Sequence, residues 1–387
     1  MDRTPPRPAL RRHVYYVGGF FTGGPAFYFG TLARECARFG RVHGTAVAFD
    51  GSGPADGLTP EVTLRAERPE GAVETRYALL RWEDIVLDRF ARPWTWRIAG
   101  GVATLLDYLA TGAFGRMLRL MRRFAFLWLF PFVFYAGAAA AAGLLGLGVA
   151  GLLRDAGFRT AFLAGFVAGG LVLLAAGALG RRTYAYLFLN DWIFSREVAL
   201  DRAPELWARI DAFAERVAGS LADPAVDEVV LVGHSFGASL APLVAAAAGE
   251  RAAAGALARL TILTLGGSLA LIGFHPRATR FRAGLQRAAS LPGVAWIDVS
   301  SSYDAVNFKR FDPVARFGLA DGNARSPLLL DTRFARGRRG GPLRKLDLMR
   351  LHMQFIKAAD RPDAYDYVGL VTGVEPVRKA LAGIGRR

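Results

Sequence analysis

Residues 226–239 read VDEVVLVGHSFGAS, and this stretch decides how the chain is read. Val229 to Val232 form a short apolar, β-branched run of the kind that fills a strand buried on both faces. Gly233-His234-Ser235-Phe236-Gly237 then fits G-x-S-x-G, and Ala238 to Ala248 continues as a small-residue helix with Pro242 in its first turns. A serine hydroxyl is a weak nucleophile unless a sharp turn projects it toward a base, with backbone N–H groups beside it. The flanking glycines remove the Cβ atoms that would collide where strand and helix pack so closely. The helix that follows aims its positive N-terminal end at the place where an oxyanion would develop.

With 45 glycines in 387 residues the pattern arises readily by chance, so the strand before it and the helix after it carry the weight. A rival lies at 261–270, TILTLGGSLA, where a strand also runs into a G-x-S turn. Ser268 lacks the second glycine, and Ser235 is preferred. The net charge of +16 is almost all arginine, scattered along the chain. No phosphate loop, zinc spacing or aromatic RNA-binding stretch accompanies it, so nucleic acid is not an expected partner. The lone Cys36 excludes an intramolecular disulfide and fits a packed thiol in a helix over Pro25–Phe39. The start, MDRTPPRPALRRH, is basic but has no apolar run, and is not read as a cleavable signal peptide.

Residues 124–153 and 160–180 contain no charge, and each is long enough to cross a bilayer as a helix. Glycine and alanine recur in both, as where two helices pack closely in lipid. Arg116, Arg119, Arg122 and Arg123 precede the first span, and Arg181 and Arg182 follow the second. The positive-inside rule puts both flanks in the cytoplasm and leaves only a short loop outside. The stretch TLLDYLATGAFGRMLRLMRRF (104–124) reads as an interfacial amphipathic helix feeding the membrane.

On either side of this hairpin, strands and helices alternate. Strands are expected at 13–17, 42–49, 71–82, 229–232, 260–265, 294–299 and 328–331, with a helix over 203–221. Alternation of this kind predicts an α/β fold with a mostly parallel sheet flanked by helices, interrupted by a two-helix transmembrane hairpin. The expected divisions are 1–95 for the first part of the α/β domain and 96–123 for an amphipathic interfacial segment. The hairpin follows at 124–182, with spans at about 126–150 and 160–180, and 183–387 completes the domain.

The elbow Gly233 to Gly237 and the chain order around it resemble the α/β-hydrolase superfamily, of the serine esterase or lipase kind. The resemblance covers roughly 10–95 and 185–375, and its specific part is short. It implies a triad ordered serine, acid, histidine along the chain. That order sets aside His13 and His43, which precede the serine. His234 is the variable residue of the elbow and is expected to point away from Ser235, and His275 comes too early for the base. His352 is left as the base. The acid should follow the strand near 294–299, which points to Asp304, with Asp312 as runner-up and Asp298 as a structural carboxylate. The oxyanion would be held by the backbone N–H of Phe236 and of Phe20, with Gly19 as the alternative to Phe20. The family often has a histidine-glycine pair where this chain has Gly18-Gly19. No metal or cofactor is implied.

The activity implied is ester cleavage through an acyl-enzyme, with a lipid or acyl ester as substrate and the lipid bilayer as partner. The expected setting is an integral membrane protein of two spans, its catalytic domain on the cytoplasmic side, at the inner membrane if bacterial. Phe20, Phe21, Phe27, Tyr28 and Phe29 surround the supposed oxyanion turn, as acyl-pocket lining or as ordinary core. The rival reading is a non-catalytic membrane protein that keeps a hydrolase-like scaffold for partner binding. The arginine-rich tract Arg333–Arg350 reads as a solvated loop or as a contact for lipid head groups.

Overall fold

A computed structural model describes residues 10–53, 57–332, 348–361 and 365–384. Most of the arginine-rich tract, 333–347, lies outside the described residues. The chain forms two compact units, one from Met1–Asp88 with Val198–Arg387, the other from Arg89–Glu197. The sequence suggests divisions at 95/96, 123/124 and 182/183.

The first unit is α/β. Its strands are β1 (Leu10–Val17), β2 (Val47–Asp50), β3 (Glu61–Arg68), β4 (Gly71–Leu80), β5 (Glu228–His234), β6 (Leu260–Leu265), β7 (Ala295–Ser300) and β8 (Leu328–Asp331). They form one sheet in the order β2-β3-β4-β1-β5-β6-β7-β8. β2, β3 and β4 pair antiparallel, and every other neighbouring pair is parallel. β5 is buried along its whole length, as its uninterrupted apolar run requires for a central strand covered on both faces.

Helix α1 (Pro25–His43) precedes the second unit, and α2 (Glu83–Ala91) runs into it at Arg89. The expected strand at 42–49 is corrected here. The helix persists to His43, Gly44 closes it at φ +68°, and only Val47–Asp50 is extended. β3 was not anticipated, although Val62, Leu64 and Ala66 point inward between exposed or half-buried neighbours, the period of a half-buried strand.

The second unit is helical: α3 (Trp94–Ala110), α4 (Ala113–Leu120), α5 (Arg122–Asp155), α6 (Ala161–Arg182) and most of α7 (Ala185–Ala199). α5 and α6 are long and apolar enough to cross a membrane, with mean hydropathies of 1.9 and 2.2 in their best windows. They pack backbone to backbone, because a Cβ on Gly146 would stand 2.8 Å from the Gly165 carbonyl oxygen and one on Gly169 2.9 Å from that of Ala142. The segment expected as one amphipathic helix is instead α3 and α4, bent by 72° where Gly112 takes φ +70°. Taken together, that bent pair also meets the length and hydropathy of a span, as a broken span or a re-entrant loop.

The chain then returns to the first unit with α8 (Pro204–Ala222), α9 (Gly237–Gly249), α10 (Leu269–Gly273), α11 (Thr279–Ser290), α12 (Pro313–Arg316), α13 (Leu348–His352), α14 (Tyr367–Val371) and α15 (Val377–Ile384). One sheet face carries Val14, Tyr16, Tyr77, Val230, Val232, Leu263 and Ile297, and packs with α1 and the C-terminal residues Phe355, Val368 and Leu381 into the main core.

A buried cation ties the C-terminal segment to the sheet. Arg12 on β1 is fully buried, and its Nε donates to Glu228 on β5 at 2.7 Å. Its remaining N–H groups donate to the carbonyls of Leu370, Val371, Gly373 and Glu375 at 2.9–3.2 Å. The other oxygen of Glu228 accepts the Val377 N–H at 2.8 Å. Replacing one partner strands a buried charge, so Arg12→Ala should cost about 3–5 kcal/mol of stability. The apolar pair Arg12→Met with Glu228→Leu removes both charges and should lose less than Arg12→Ala, but it still strands four carbonyls and the Val377 N–H and should stay below wild type. Thermal unfolding of the detergent-solubilised full chain distinguishes the two outcomes.

Candidate functional site

The turn after β5 is shaped by what cannot fit there. A Cβ on Gly237 would overlap the Val17 carbonyl oxygen at the end of β1, and one on Gly233 would overlap the Gly237 carbonyl oxygen. Strand, turn and helix therefore approach at backbone distance, and the chain reverses through Ser235 at φ +60°. A β-hydroxyl residue in this left-handed region is strained by about 1–3 kcal/mol. The Ser235 N–H donates to the Leu265 carbonyl at 2.9 Å, which fastens the turn to the end of β6.

Gly19, just beyond β1, lies against the serine. A Cβ there would stand 2.8 Å from Ser235 Cβ and 3.1 Å from its Oγ. Trp82 Nε1–H donates to the Gly18 carbonyl at 3.0 Å and holds this segment in place. Phe20 and Phe236 are both buried, with ring centroids 6.0 Å apart, and Trp82 stacks on Phe236 at 5.3 Å. The two residues expected to offer oxyanion N–H groups thus share one aromatic cluster beneath the turn. Of the other aromatics, Phe29 and Tyr28 pack against the core, while Phe21 and Phe27 are exposed with rings 5.0 Å apart.

His352 ends α13 and is buried. Its Nδ1 is 2.7 Å from Asp304 Oδ2, and because a carboxylate only accepts, Nδ1 carries the proton. Nε2 is buried and, among the described residues, has no hydrogen-bond partner, Ser235 Oγ included. Asp304 is itself held, since its Oδ1 accepts the Val306 N–H at 2.9 Å. The loop after β7 is closed by Asn307, fully buried, which donates to the carbonyls of Ser301 and Asp304 and accepts the Ser301 N–H. Asp312 is occupied elsewhere: it caps α12, accepting the N–H groups of Val314 and Ala315. Asp298 lies within β7, where Thr264 donates to it at 2.6 Å and burial pushes its carboxyl up to about 7.

The rival histidines lie in other surroundings. His13 Nδ1 meets Ser220 Oγ at 2.7 Å, His43 is 3.2 Å from Asp366, and His275 Nδ1 accepts the Arg277 N–H at 3.3 Å. Ser268 leads into α10 with φ −118°, and the left-handed residue of its turn is Gly266, at φ +57°. Gly266 nonetheless belongs to the site, because a Cβ on it would press on Phe355 and stand 3.2 Å from His352 Cε1.

Two side chains were not anticipated here. Asn307 gives no local signal of its role. His234 was expected to point away from the serine, and its ring lies against His352, with centroids 4.8 Å apart. Its Nε2 is 3.1 Å from the His352 carbonyl oxygen, so Nε2 bears the proton. Burial, and then the charge of His352, push His234 down to about 3. Among the described residues no group of three or more His, Cys, Asp or Glu side chains is arranged to hold a metal ion.

Compared with family models, curated proteins and solved structures, the chain matches none.

The strain at Ser235 predicts that Ser235→Gly is more stable than Ser235→Ala by about 1 kcal/mol, read by thermal unfolding. The depressed His234 makes a second prediction. Between about pH 6.5 and 3 the unfolded chain takes up a proton that the fold refuses. The stability it contributes is therefore complete above pH 6.5 and lost on acidification, at up to about 1.4 kcal/mol per pH unit. Asp298 acts in the opposite sense over the acid range, so wild type must be compared with His234→Gln. The variant's stability should fall less steeply between pH 6 and 4 in chemical denaturation, and equal slopes would refute the assignment.

Proposed function

We propose that this chain is a membrane-anchored serine hydrolase of the α/β-hydrolase kind, cleaving a lipid or acyl ester through Ser235, His352 and Asp304. The observation that carries the reading is the buried hydrogen bond from His352 Nδ1–H to Asp304 at 2.7 Å, at the strand ends where Ser235 is held at φ +60°. Chain order supports it, since serine after β5, acid after β7 and histidine after β8 follow the order of that superfamily.

The chemistry follows from these roles. Ser235 Oγ attacks the ester carbonyl carbon as its proton passes to His352 Nε2. Asp304 keeps Nδ1–H oriented and stabilises the imidazolium. The tetrahedral oxyanion is met by the Phe236 N–H and by that of Phe20, with Gly19 as the alternative. Collapse breaks the ester C–O bond, and the leaving alkoxide takes the proton from Nε2. Water then adds to the acyl-enzyme, giving a proton to His352, and release of the acid restores Ser235. In apo enzymes the serine–histidine bond is often long or absent and closes with substrate bound. Each oxyanion donor is worth about 3 kcal/mol in the transition state.

The exposed Phe21, next to the Gly18–Phe20 turn, and Phe27, at the start of α1 with its ring 5.0 Å from that of Phe21, together with the two apolar helices support an acyl or lipid substrate. The arginines at 116–123 and 181–182 support a topology with both flanks, and hence the α/β unit, on the cytoplasmic side, at the inner membrane if the source is bacterial. The second reading, a non-catalytic scaffold that binds a partner, draws on one observation, that His352 Nε2 has no hydrogen-bond partner among the described residues.

Membranes holding wild type, Ser235→Ala and His352→Ala should be treated with a fluorophosphonate probe. Labelling of wild type, lost in Ser235→Ala and reduced at least about 10³-fold in His352→Ala, is expected. A folded, inserted wild type that stays unlabelled would favour the scaffold.

A further inference from the structure

We propose that His234 is a positioning residue that holds His352 in register with Ser235 by gripping the backbone and ring of the base, without touching substrate. The inference rests on the serine-hydrolase reading.

His352 stands at the end of a helix of only five residues. One side-chain bond, Nδ1–H to Asp304, orients its ring. That bond does not fix where the backbone of residue 352 sits relative to the turn after β5. The hydrogen bond from His234 Nε2–H to the His352 carbonyl does, at 3.1 Å. His234 is the last residue of β5 and immediately precedes Ser235. The strand that delivers the nucleophile therefore also grips the base segment, across 118 residues of sequence. Displacements of Nε2 relative to Oγ are resisted by one short, rigid connection. Phe355 packs near both rings, its centroid 6.1 Å from His352 and 6.2 Å from His234.

The chemistry of the place selects the side chain. The contact with the His352 carbonyl calls for a hydrogen-bond donor from residue 234. A lysine or arginine would supply the donor with a charge that opposes the imidazolium formed during turnover. A neutral imidazole supplies the N–H without that charge, and burial keeps His234 neutral. Glutamine is the nearest neutral replacement with an N–H at comparable reach.

The test uses the full chain in detergent or nanodiscs, with the saturation kinetics of fluorophosphonate labelling measured for wild type, His234→Gln and His234→Phe. Thermal unfolding confirms the folded fraction of each. His234→Phe should label about 10- to 100-fold more slowly at saturation, with the half-saturating probe concentration unchanged. His234→Gln should recover to within about threefold of wild type. If His234→Phe fails to fold, His234→Asn replaces it, since its amide is too short to reach the carbonyl and the same slowing is expected. Wild-type labelling rates in His234→Phe, or equal losses in the Phe and Gln variants, overturn the positioning role and leave the hydrolase reading standing. A wild type that does not label removes the hydrolase reading, and this inference with it.

Discussion

The absence of a side chain at Gly237 is the constraint on which the site depends. The carbonyl of Val17 occupies the space a Cβ would need, so the start of α9 touches the end of β1 backbone to backbone. That contact leaves no room for a gentle exit from β5, and the chain turns through Ser235 in a left-handed conformation. Gly233 is required by the same crowding, since its missing Cβ is replaced by the carbonyl of Gly237. Gly19 extends the argument to the neighbouring turn, which can lie against the serine only while it carries no side chain. Glycine costs a strand or helix interior some stability through its freedom in the unfolded chain. Its use at these places reflects close approach of main chains more than flexibility.

Around that turn, the parts of the site come from distant sequence and are fastened by polar bonds inside the fold. Asn307 closes the Asp304 loop upon itself, so the carboxylate arrives already shaped. The His352 segment has only short helical turns of its own, and takes its place through Asp304, His234 and the packing of Phe355 into the main core. Further along, Arg12 and Glu228 hold the end of α14 and the residues after it against β1 and β5. A buried ion pair is poor evidence for stability when compared with apolar residues of similar volume. Here the guanidinium satisfies four main-chain carbonyls that apolar side chains could not, which argues for a role in fixing where the C-terminal segment docks.

Much of the sheet could be read directly. The strands at 260–265 and 328–331 coincide with β6 and β8, because short β-branched and leucine-rich runs bounded by turns leave few alternatives. β3 escaped because glutamate, threonine and arginine alternate with only Val62, Leu64 and Ala66, a pattern as compatible with a polar connection as with an antiparallel strand. The start of β2 was misplaced because Gly44, which stops α1, looks in sequence like any glycine before a strand. The bend between α3 and α4 has the same origin, a single glycine at φ +70° inside an otherwise continuous apolar pattern. In the site, Asp304 and His352 could be named from chain order and the resemblance. Asn307 and His234 could not, since their partners are set by how loops close and by a contact spanning 118 residues.

The two neighbouring histidines show how position decides the chemistry of identical side chains. His352 has a carboxylate on Nδ1, so its proton is fixed there and Nε2 keeps an open lone pair. His234 has a carbonyl on Nε2, which fixes the opposite tautomer and gives the ring no negative partner to favour a charge. The second imidazole is therefore held neutral by burial and by the first. A charge on both would place two cations with ring centroids 4.8 Å apart in a buried region, where Coulomb repulsion is poorly screened.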